Sequence, residues 1–524
     1  MKKLSIFAAL AAMTLFASCS KDNAGNGNGP EGDETKMGLT ISFPKNTASR
    51  ASTDNATADE MMVKDITLFL YGTGGEPAMG HLTEFDLTND FNVSSTSTQN
   101  VYTLKHEKRV TTTTGLKSVY VGVNTKGSRF MGEGQVAGNL IDADANESLL
   151  NEFYTTSVAE LIAEKDGLPG NTFRMFTKSV QKPTLVAETN PDWSKNNVVT
   201  VDVERQVAKM TADYAAGKTA TTLTQWKRGG SDVYGTHTMK GYYLGQAGDK
   251  KMYRYPQYNL DGKQLTTTDV TGSGYVSQFK PLNTNGTALN ATPSLTAGAD
   301  KRTSFFGIEN VSLNNVRKET TVAIFWTTFV PKKATVWDSV LGNATPGNPK
   351  AGWVEEDWTA SKLDLTEKVG AANNTPVEEG SFWVIKHGDD YKFFYSRAES
   401  LEYANAFNLD GYANPPLAGG QIYQKGNSYF YAYLGEEPTY EFLRNQYYQL
   451  IVEGFNALGQ PGTADPKDDP ENPNPDPDPE PGEPDPEVPD PEEPTPGNED
   501  ETSLLLKVVV RQWDVKVLNS MILE

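Results

Sequence analysis

Residues 504–524, LLLKVVVRQWDVKVLNSMILE, read as two β-strands, because apolar side chains recur at every second position and only Asn519 interrupts them. The apolar faces comprise Leu504, Leu506, Val508 and Val510 in the first strand and Trp513, Val515, Val517, Met521 and Leu523 in the second. A strand on a flexible tether can add to an open sheet edge of a neighbouring molecule, where main-chain hydrogen bonds hold it and alternate side chains fill pockets. The stretch therefore predicts a subunit that polymerises, with the apolar residues from Leu506 onward as the donor face.

The segment before these strands, residues 460–503, is predicted to be an acidic, proline-rich tether. Between residues 461 and 500 it carries fifteen Asp or Glu residues and one lysine, a balance of −14 out of a whole-chain net charge of −21. This composition favours an extended, self-repelling chain; the alternative is a spacer that crosses the cell wall or joins domains. The remaining body is only mildly acidic, which argues against a nucleic-acid partner, since that would require clustered Lys and Arg.

The N-terminal end predicts secretion as a lipoprotein. Lys2 and Lys3 precede a mostly apolar run, residues 4–16, and a small-residue cleavage site before Cys19. This order is typical of a signal peptide, predicted at residues 1–18, and the run is shorter than the roughly 20 apolar residues that span a bilayer. Cys19 is the only cysteine, and its setting is similar to a bacterial lipobox, so we expect it to carry the lipid that anchors the precursor in the outer membrane. The alternative is a plain signal peptide with an incidental cysteine.

A second alternating strand lies in the predicted propeptide, residues 19–50. Its apolar face comprises Met37, Leu39, Ile41 and Phe43. Pro44 ends it, because proline has no N–H to donate to a ladder. The alternation matches that of the C-terminal strands, so one strand could replace the other in the same groove. Cleavage between Arg50 and Ala51 would release the first strand and leave an open sheet edge. The alternative is an ordinary edge strand followed by an ordinary loop arginine.

The body predicts an all-β protein with two β-sandwich domains, residues 51–209 and 210–459, and few short helices. Strands are indicated at residues 63–71, 118–124, 199–203, 321–329, 382–386, 392–395, 429–434 and 447–453. A three-to-four spacing of apolar residues predicts one helix at residues 147–163. With one cysteine the fold has no internal disulfide, so it must depend on the size of its core.

Catalytic signatures are weak, and the sequence predicts neither an enzyme nor a cofactor. The histidines are scattered without metal-ligand spacing, at His81, His106, His237 and His387. Asp86 with Asp90, or Glu355 with Asp357, could form the carboxylate pair of a glycosidase. Surface acids explain these pairs better.

Five strings occur in an order that is similar to a known family. They are FASCS at residues 16–20, SVYVGVN at 118–124, YFYAYL at 429–434, RNQYY at 444–448 and VVVRQW at 508–513. Together with the tether they resemble the fimbrillins, the type V pilins of Bacteroidales, and most of all those of the short (Mfa-type) fimbriae. The likeness runs from end to end of the chain and is patchy between about residues 210 and 420.

The resemblance implies two tandem transthyretin-like β-sandwiches in a lipidated precursor that a trypsin-like protease cuts after Arg50. It implies a homopolymer that also contacts anchor and tip subunits in a cell-surface fimbria supporting adhesion and biofilm formation. The presence of both Arg50 and a long donor segment favours a shaft subunit. One alternative is a tip or accessory adhesin. The other is a surface glycan-binding lipoprotein, for which Trp353 and Trp358 are the exposed candidates, whereas Trp326 and Trp383 are predicted to lie in the core.

Overall fold

The computed structural model describes residues 32–44, 63–95, 99–125, 146–151, 153–155, 173–187, 197–214, 225–229, 232–245, 251–258, 264–265, 276–280, 304–311, 321–367, 376–413, 421–434, 441–455, 457–461 and 504–512. Most of these residues are in strands. The all-β prediction is therefore confirmed.

The N-terminal part of the chain, up to residue 205, contributes twelve strands in the described ranges. They are β1 (Glu34–Pro44), β2 (Ile66–Tyr71), β3 (Thr83–Phe85), β4 (Phe91–Ser95), β5 (Gln99–Leu104), β6 (Val110–Thr113), β7 (Gly115–Leu116), β8 (Ser118–Val123), β9 (Phe153–Thr155), β10 (Met175–Thr177), β11 (Thr184–Leu185) and β12 (Val198–Arg205). Nine of them form one sheet in the order β3-β2-β8-β10-β12-β1-β5-β4, with β6 also paired to β1. Alternate side chains of these strands meet in a single core, in which Phe43 packs edge-on against Tyr102 at 5.2 Å between ring centroids.

Strands β2 and β8 bury both of their faces. Val119, Val121 and the other aliphatic residues of one face join the core that contains β1. Phe69 and Tyr120, on the opposite faces, join a second, aromatic cluster with Tyr255. A strand covered on both sides gains apolar burial at every position, which explains why all six residues of each strand are buried.

The C-terminal part contributes the remaining strands. They are β13 (Val207–Tyr214), β14 (Gln225–Gly229), β15 (Asp232–Gly245), β16 (Lys251–Tyr253), β17 (Gln257–Tyr258), β18 (Gln264–Leu265), β19 (Val276–Lys280), β20 (Ser304–Ile308), β21 (Asn310–Val311), β22 (Val322–Pro331), β23 (Lys333–Trp337), β24 (Trp353–Asp357), β25 (Phe382–His387), β26 (Asp390–Phe394), β27 (Gln421–Tyr423), β28 (Asn427–Tyr433), β29 (Glu441–Phe442), β30 (Gln446–Phe455), β31 (Gln460–Pro461) and β32 (Leu504–Gln512).

Two sheets of this part share one core. The first has the order β20-β13-β30-β32, and the second has the order β14-β15-β22-β28-β31, with β19 also paired to β15. Buried residues of both sheets form a continuous cluster that includes Met210, Phe325 and Leu450. A hydrogen bond also joins the two sheets, since the Ala212 amide donates to the Tyr242 hydroxyl at 3.1 Å.

The helices in the described ranges are short, as the sequence predicts. They are α1 (Leu87–Asp90), α2 (Ser339–Ala344), α3 (Arg397–Phe407) and α4 (Asp410–Ala413), with 3₁₀ turns at His106–Lys108, Glu147–Asn151, Ala360–Lys362 and Gln424–Gly426. The Ser396 hydroxyl caps α3 by accepting from the Glu399 amide at 3.1 Å, and Asn408 ends the helix in the left-handed conformation. No helix among the described residues is both long and apolar enough to cross a membrane.

The eight predicted body strands are all present, but the helix predicted at residues 147–163 is wrong where the structure describes it. Glu147–Asn151 is a 3₁₀ turn, and Phe153–Thr155 is strand β9, which pairs antiparallel with Lys251–Tyr253. Pairing with a distant strand outweighs the local apolar spacing. Residues 156–172 lie outside the described residues. The chain passes from the first sheet to the next at Gln206, close to the predicted boundary at 209/210, and the division into domains stays a prediction.

Candidate assembly site at the first and last strands

Strand β1 lies in the interior of its sheet. Its residues 38–42 run parallel to β12, and its residues 40–44 run antiparallel to β5. The start of the strand, residues 34–37, pairs antiparallel with β6. The alternative of an ordinary edge strand is therefore wrong, because β1 has neighbours on both sides.

The four apolar residues on the predicted face of β1 lie in the core. Met37, Leu39, Ile41 and Phe43 are each at most 1% exposed. Burying such side chains contributes on the order of 1.5–3 kcal/mol each, or roughly 6–12 kcal/mol for the strand before the cost of ordering it. One short strand thus supplies four of the twenty buried residues that the structure describes in this core cluster.

Removal of β1 would leave a gap, here called the slot, between the strands that flank it in the sheet. On one side the slot would be bounded by β12, with Val199 and Val201, and on the other by β5 and β6, with Tyr102 and Val110. The flanking strands would lose their hydrogen-bond partners, and the walls would be apolar. Unpaired strand edges beside an apolar cleft favour the entry of another strand.

The first C-terminal strand, β32, pairs antiparallel with β30 of the same chain. In this register Leu506, Val508 and Val510 stand opposite Val452, Leu450 and Tyr448. The other side of β30 pairs in parallel with β13, so β32 completes the sheet at that edge. Some predicted residues lie outside the described residues, namely Cys19, Arg50, Ala51, Trp513, Val515, Val517, Met521 and Leu523.

A buried ion pair fixes the start of β30. Arg444 and Glu309 are each 2% exposed, and Arg444 Nε donates to Glu309 Oε2 at 2.7 Å. The Arg444 guanidinium also donates to the backbone oxygens of Arg254 at 2.9 Å and Tyr253 at 2.8 Å. Asn445 adopts the left-handed conformation, with φ of 57°, and its backbone N–H donates to Val207 O at 2.9 Å. The edge that receives β32 therefore begins at a rigid turn.

Glu204, at the end of β12, lies close to this ion pair. Burial is the main cause that raises the pKa of Glu204 to about 7; the Arg444 charge opposes this rise, and the proximity of Glu309 adds to it. A carboxyl group with such a pKa changes its charge near neutral pH. The junction between β12 and β13 therefore contains a group that is sensitive to pH.

The acidic pairs considered as catalytic candidates have structural partners. Asp86 caps α1 by accepting from the Thr88 amide at 2.9 Å, and Asp90 forms an ion pair with Lys108 at 2.9 Å. Asp357 forms an ion pair with Lys333 at 2.7 Å, and this contact lowers the pKa of its carboxyl group. Glu355 binds the side chains of both Arg228 and Lys392.

The histidines do not come together. His237 is fully buried between Thr327 Oγ1, at 3.0 Å, and Ala457 O, at 3.2 Å, and burial lowers the pKa of its ring to about 3. His387 Nδ1 lies 2.7 Å from the Tyr403 hydroxyl. Within the described ranges no group of three or more His, Cys, Asp or Glu residues is arranged to hold a metal ion.

Comparison with known proteins finds likeness only among solved structures. No family model and no curated protein matches the chain. A fimbrilin, FimA, from Porphyromonas gingivalis is 12% identical, with a TM-score of 0.35 over 92% of this chain and 99% of that one. The tip fimbrial protein Mfa3 from the same species, with a C-terminal truncation, is 12% identical, with a TM-score of 0.32 over 80% of this chain and 96% of that one. A fimbrial assembly protein from Parabacteroides distasonis is 11% identical, with a TM-score of 0.30 over 69% and 95%.

The chain resembles Bacteroidales fimbrial proteins. At these identities and TM-scores, likeness alone assigns no function to it. The fimbrillin-like string at residues 444–448 includes the turn that anchors β30, a role that the sequence does not reveal because Glu309 lies 135 positions away. An arginine followed by an asparagine directly before a long apolar strand is the local signal that could have indicated a buried cap.

Proposed function

We propose that this chain is a structural subunit of a cell-surface fimbria and that it polymerises by strand exchange. In this proposal β1 is removed by cleavage between Arg50 and Ala51, and the C-terminal strands of a neighbouring copy enter the vacated slot. The main support is the position of β1, a strand with four buried apolar side chains between β12 and β5. Because the cleavage sequence follows this strand closely, one cut would free it.

The donor pattern fits the slot in chemistry and spacing. Trp513, Val515 and Val517 alternate as Leu39, Ile41 and Phe43 do, so each set places three apolar groups on one strand face. The residues between the donor positions include Asp514 and Lys516, which would face away from the core. A donor strand would thus replace the apolar face and the main-chain ladder of β1 together.

Pairing of β32 with β30 in the same chain would hold the C-terminal donor segment on its own subunit before assembly. A subunit that still holds β1 has no slot to offer, and its own β32 covers the β30 edge. The precursor would then be held at the outer membrane through Cys19 until a trypsin-like protease releases β1. Possession of both a removable strand and a donor segment favours a shaft role, with separate anchor and tip subunits as partners.

Limited trypsin digestion of the purified precursor tests the proposal, read by intact mass and by a denaturant-resistant ladder on a gel. We expect cleavage after Arg50 and a ladder of polymers. Arg50→Ala should give neither, and a truncation after Ser503 should be cleaved without forming a ladder. Polymerisation of Arg50→Ala with β1 still attached would refute the proposed mechanism.

Point variants of the donor separate its two faces. Val515→Asp should abolish the ladder, because it would bury a charge in an apolar slot, and Trp513→Ala should weaken it. Lys516→Ala is the matched control on the opposite face and should polymerise normally. If Val515→Asp polymerises as well as the control, the donor lies elsewhere in the chain.

A further inference from the structure

A cleft with two tryptophans has no residue of β1 or β32 among the described residues that line it. Its volume is about 420 Å³, and its lining consists of Trp337, Pro349, Trp353, Glu402, Asn405 and Ala406. Trp337 ends β23, Trp353 begins β24, and the two polar residues project from α3. Small-molecule sites typically occupy 300–1,000 Å³ and combine apolar walls with a few polar groups. The cleft has this composition.

The two indole rings form a corner. Their centroids are 5.5 Å apart and their planes meet at 70°. Trp353 is fixed from behind by Tyr403, at 5.2 Å and 83°, and by Phe394, at 6.3 Å and 85°. A ligand in this corner would meet an aromatic surface that does not need to rearrange.

Two glycines make room for the Trp337 indole ring. A Cβ atom at Gly342 or at Gly352 would collide with the Trp337 indole, so only glycine at these positions lets the ring lie where it does. Trp337 nevertheless remains 40% exposed. Exposed apolar surface that lines a cleft and is rimmed by polar residues is typical of a ligand-binding groove.

Polar groups stand on the rim of the corner. Glu402 and Asn405 are three positions apart on α3, so they share a helix face, and both are exposed. A carboxylate accepts hydrogen bonds, and an amide both donates and accepts them. Within the described part of the chain no hydrogen bond uses either side chain. The Trp353 Nε1 atom is also buried there without an acceptor.

We propose that this cleft binds a saccharide, with the C–H face of a pyranose ring stacked on Trp337. The negative face of an aromatic ring attracts polarised C–H groups, and the ring hydroxyls would donate to Glu402 and bond to the Asn405 amide. A wholly apolar ligand would leave these polar groups desolvated, and an anion would be repelled by Glu402. Of the two tryptophans that the sequence suggests for sugar binding, Trp353 lines this cleft. Trp358 fits less well, because it is half-buried against Tyr395, at 4.6 Å between ring centroids.

Saturation-transfer difference NMR on the full chain tests this proposal without requiring assembly. The probes are methyl β-D-glucopyranoside, methyl β-D-galactopyranoside, methyl α-D-mannopyranoside and N-acetylglucosamine, with sorbitol as a polyol that has no ring face. We expect at least one pyranoside to give a saturable signal on its ring protons, and sorbitol to give none. Trp337→Ala should weaken its binding about tenfold or more, which corresponds to about 1.4 kcal/mol of lost contact.

Two further variants separate a loss of sugar binding from a loss of folding. Asn405→Ala removes a hydrogen-bonding group from an exposed helix position and should weaken binding without affecting folding. Val340→Ala, at a side chain that is 75% exposed and outside the cleft lining, should bind as the wild type does. Absence of any saturable pyranoside signal, or equal signals from wild type and Trp337→Ala, would overturn the proposal. A Trp fluorescence shift that depends on protein concentration, without sugar, and that Trp337→Ala abolishes, would show instead that the cleft is a contact between copies.

Discussion

Glu204 illustrates what a single buried carboxyl group does to this protein. It lies in the interior at the end of β12, close to the Arg444–Glu309 ion pair, and its pKa is about 7 instead of the ordinary 4.5. Between these two values the folded protein holds a proton that the unfolded chain releases. The stability that this proton confers is complete below about pH 4.5 and is lost as the pH rises through 7.

We therefore expect Glu204→Gln to stabilise the protein at high pH, because the amide mimics the protonated carboxyl group and never ionises. The free energy of unfolding should rise by about 1–3 kcal/mol at pH 8 and change little at pH 4. Urea denaturation at pH 4, 6 and 8 measures the effect. Glu453→Gln, at an exposed position of β30, is the control; identical pH profiles for the two variants would contradict the assignment.

Single residues also mark the limit of what the sequence predicts. No pattern in the sequence marks Trp337 as a binding residue, although Gly342 and Gly352 leave space for its ring. The reason is that the two glycines, Trp353 and α3 come together around the Trp337 ring only in the folded chain. Cys19 and Arg50 are recognisable from local sequence alone, and their roles stay predictions.

Among the elements, β1 is held in the sheet by its apolar face. We expect Phe43→Ala to destabilise the uncut precursor by about 3–5 kcal/mol, because it leaves a cavity beside Tyr102. Thr40→Ala, at a half-buried position on the other face, should cost less than about 1 kcal/mol. Urea unfolding of the two variants measures this difference, and equal losses would show that β1 is not the core strand described here.

The alternation at residues 37–43 predicted the buried face of β1 correctly but not its neighbours. A period of two specifies which side chains share a face, whereas the parallel partner, β12, begins at Val198 and is selected by packing of the whole sheet. The same distinction explains the error at residues 147–163. There the three-to-four spacing of Leu149, Leu150, Phe153 and Tyr154 indicated a helix, whereas Glu147–Asn151 forms a 3₁₀ turn and Phe153–Thr155 forms a strand paired with Lys251–Tyr253.

The β30 edge offers a test at the level of one ladder. Truncation after Ser503 removes β32, so the β30 amides that bond to it should exchange with solvent at least about tenfold faster. Amides of β30 that bond to β13 should keep their protection, which makes them the internal control. Hydrogen-exchange NMR or mass spectrometry of the two proteins reports both classes. Unchanged protection throughout β30 would show that β32 does not cover this edge in solution.

For the molecule as a whole, the tether sets the balance between pairing within one chain and pairing between chains. An extended, proline-rich segment of about 40 residues would reach at most roughly 120 Å at about 3.1 Å per residue, which would keep its strand at an effective concentration on the order of 0.2 mM near its own body. The uncut protein should therefore remain monomeric up to about 100 μM. Light scattering across this concentration range measures the mass.

The truncation after Ser503 is the informative comparison, because its β30 edge is left open and should promote weak association. Concentration-dependent dimers of the uncut, full-length chain would mean that β32 prefers a neighbour even before cleavage. The acidic residues of the tether, with their balance of −14, should make any such association stronger at high salt, where their repulsion is screened.

The interior position of β1 has a mechanical consequence. A strand that takes its place would be bonded along both flanks, to β12 and to β5. Tension applied along the axis of such a strand loads all of its hydrogen bonds in shear, so they must fail together, whereas a strand peeled from a sheet edge loses its bonds one at a time. A filament joined in this way would carry tension along its length through two hydrogen-bonded ladders at every junction.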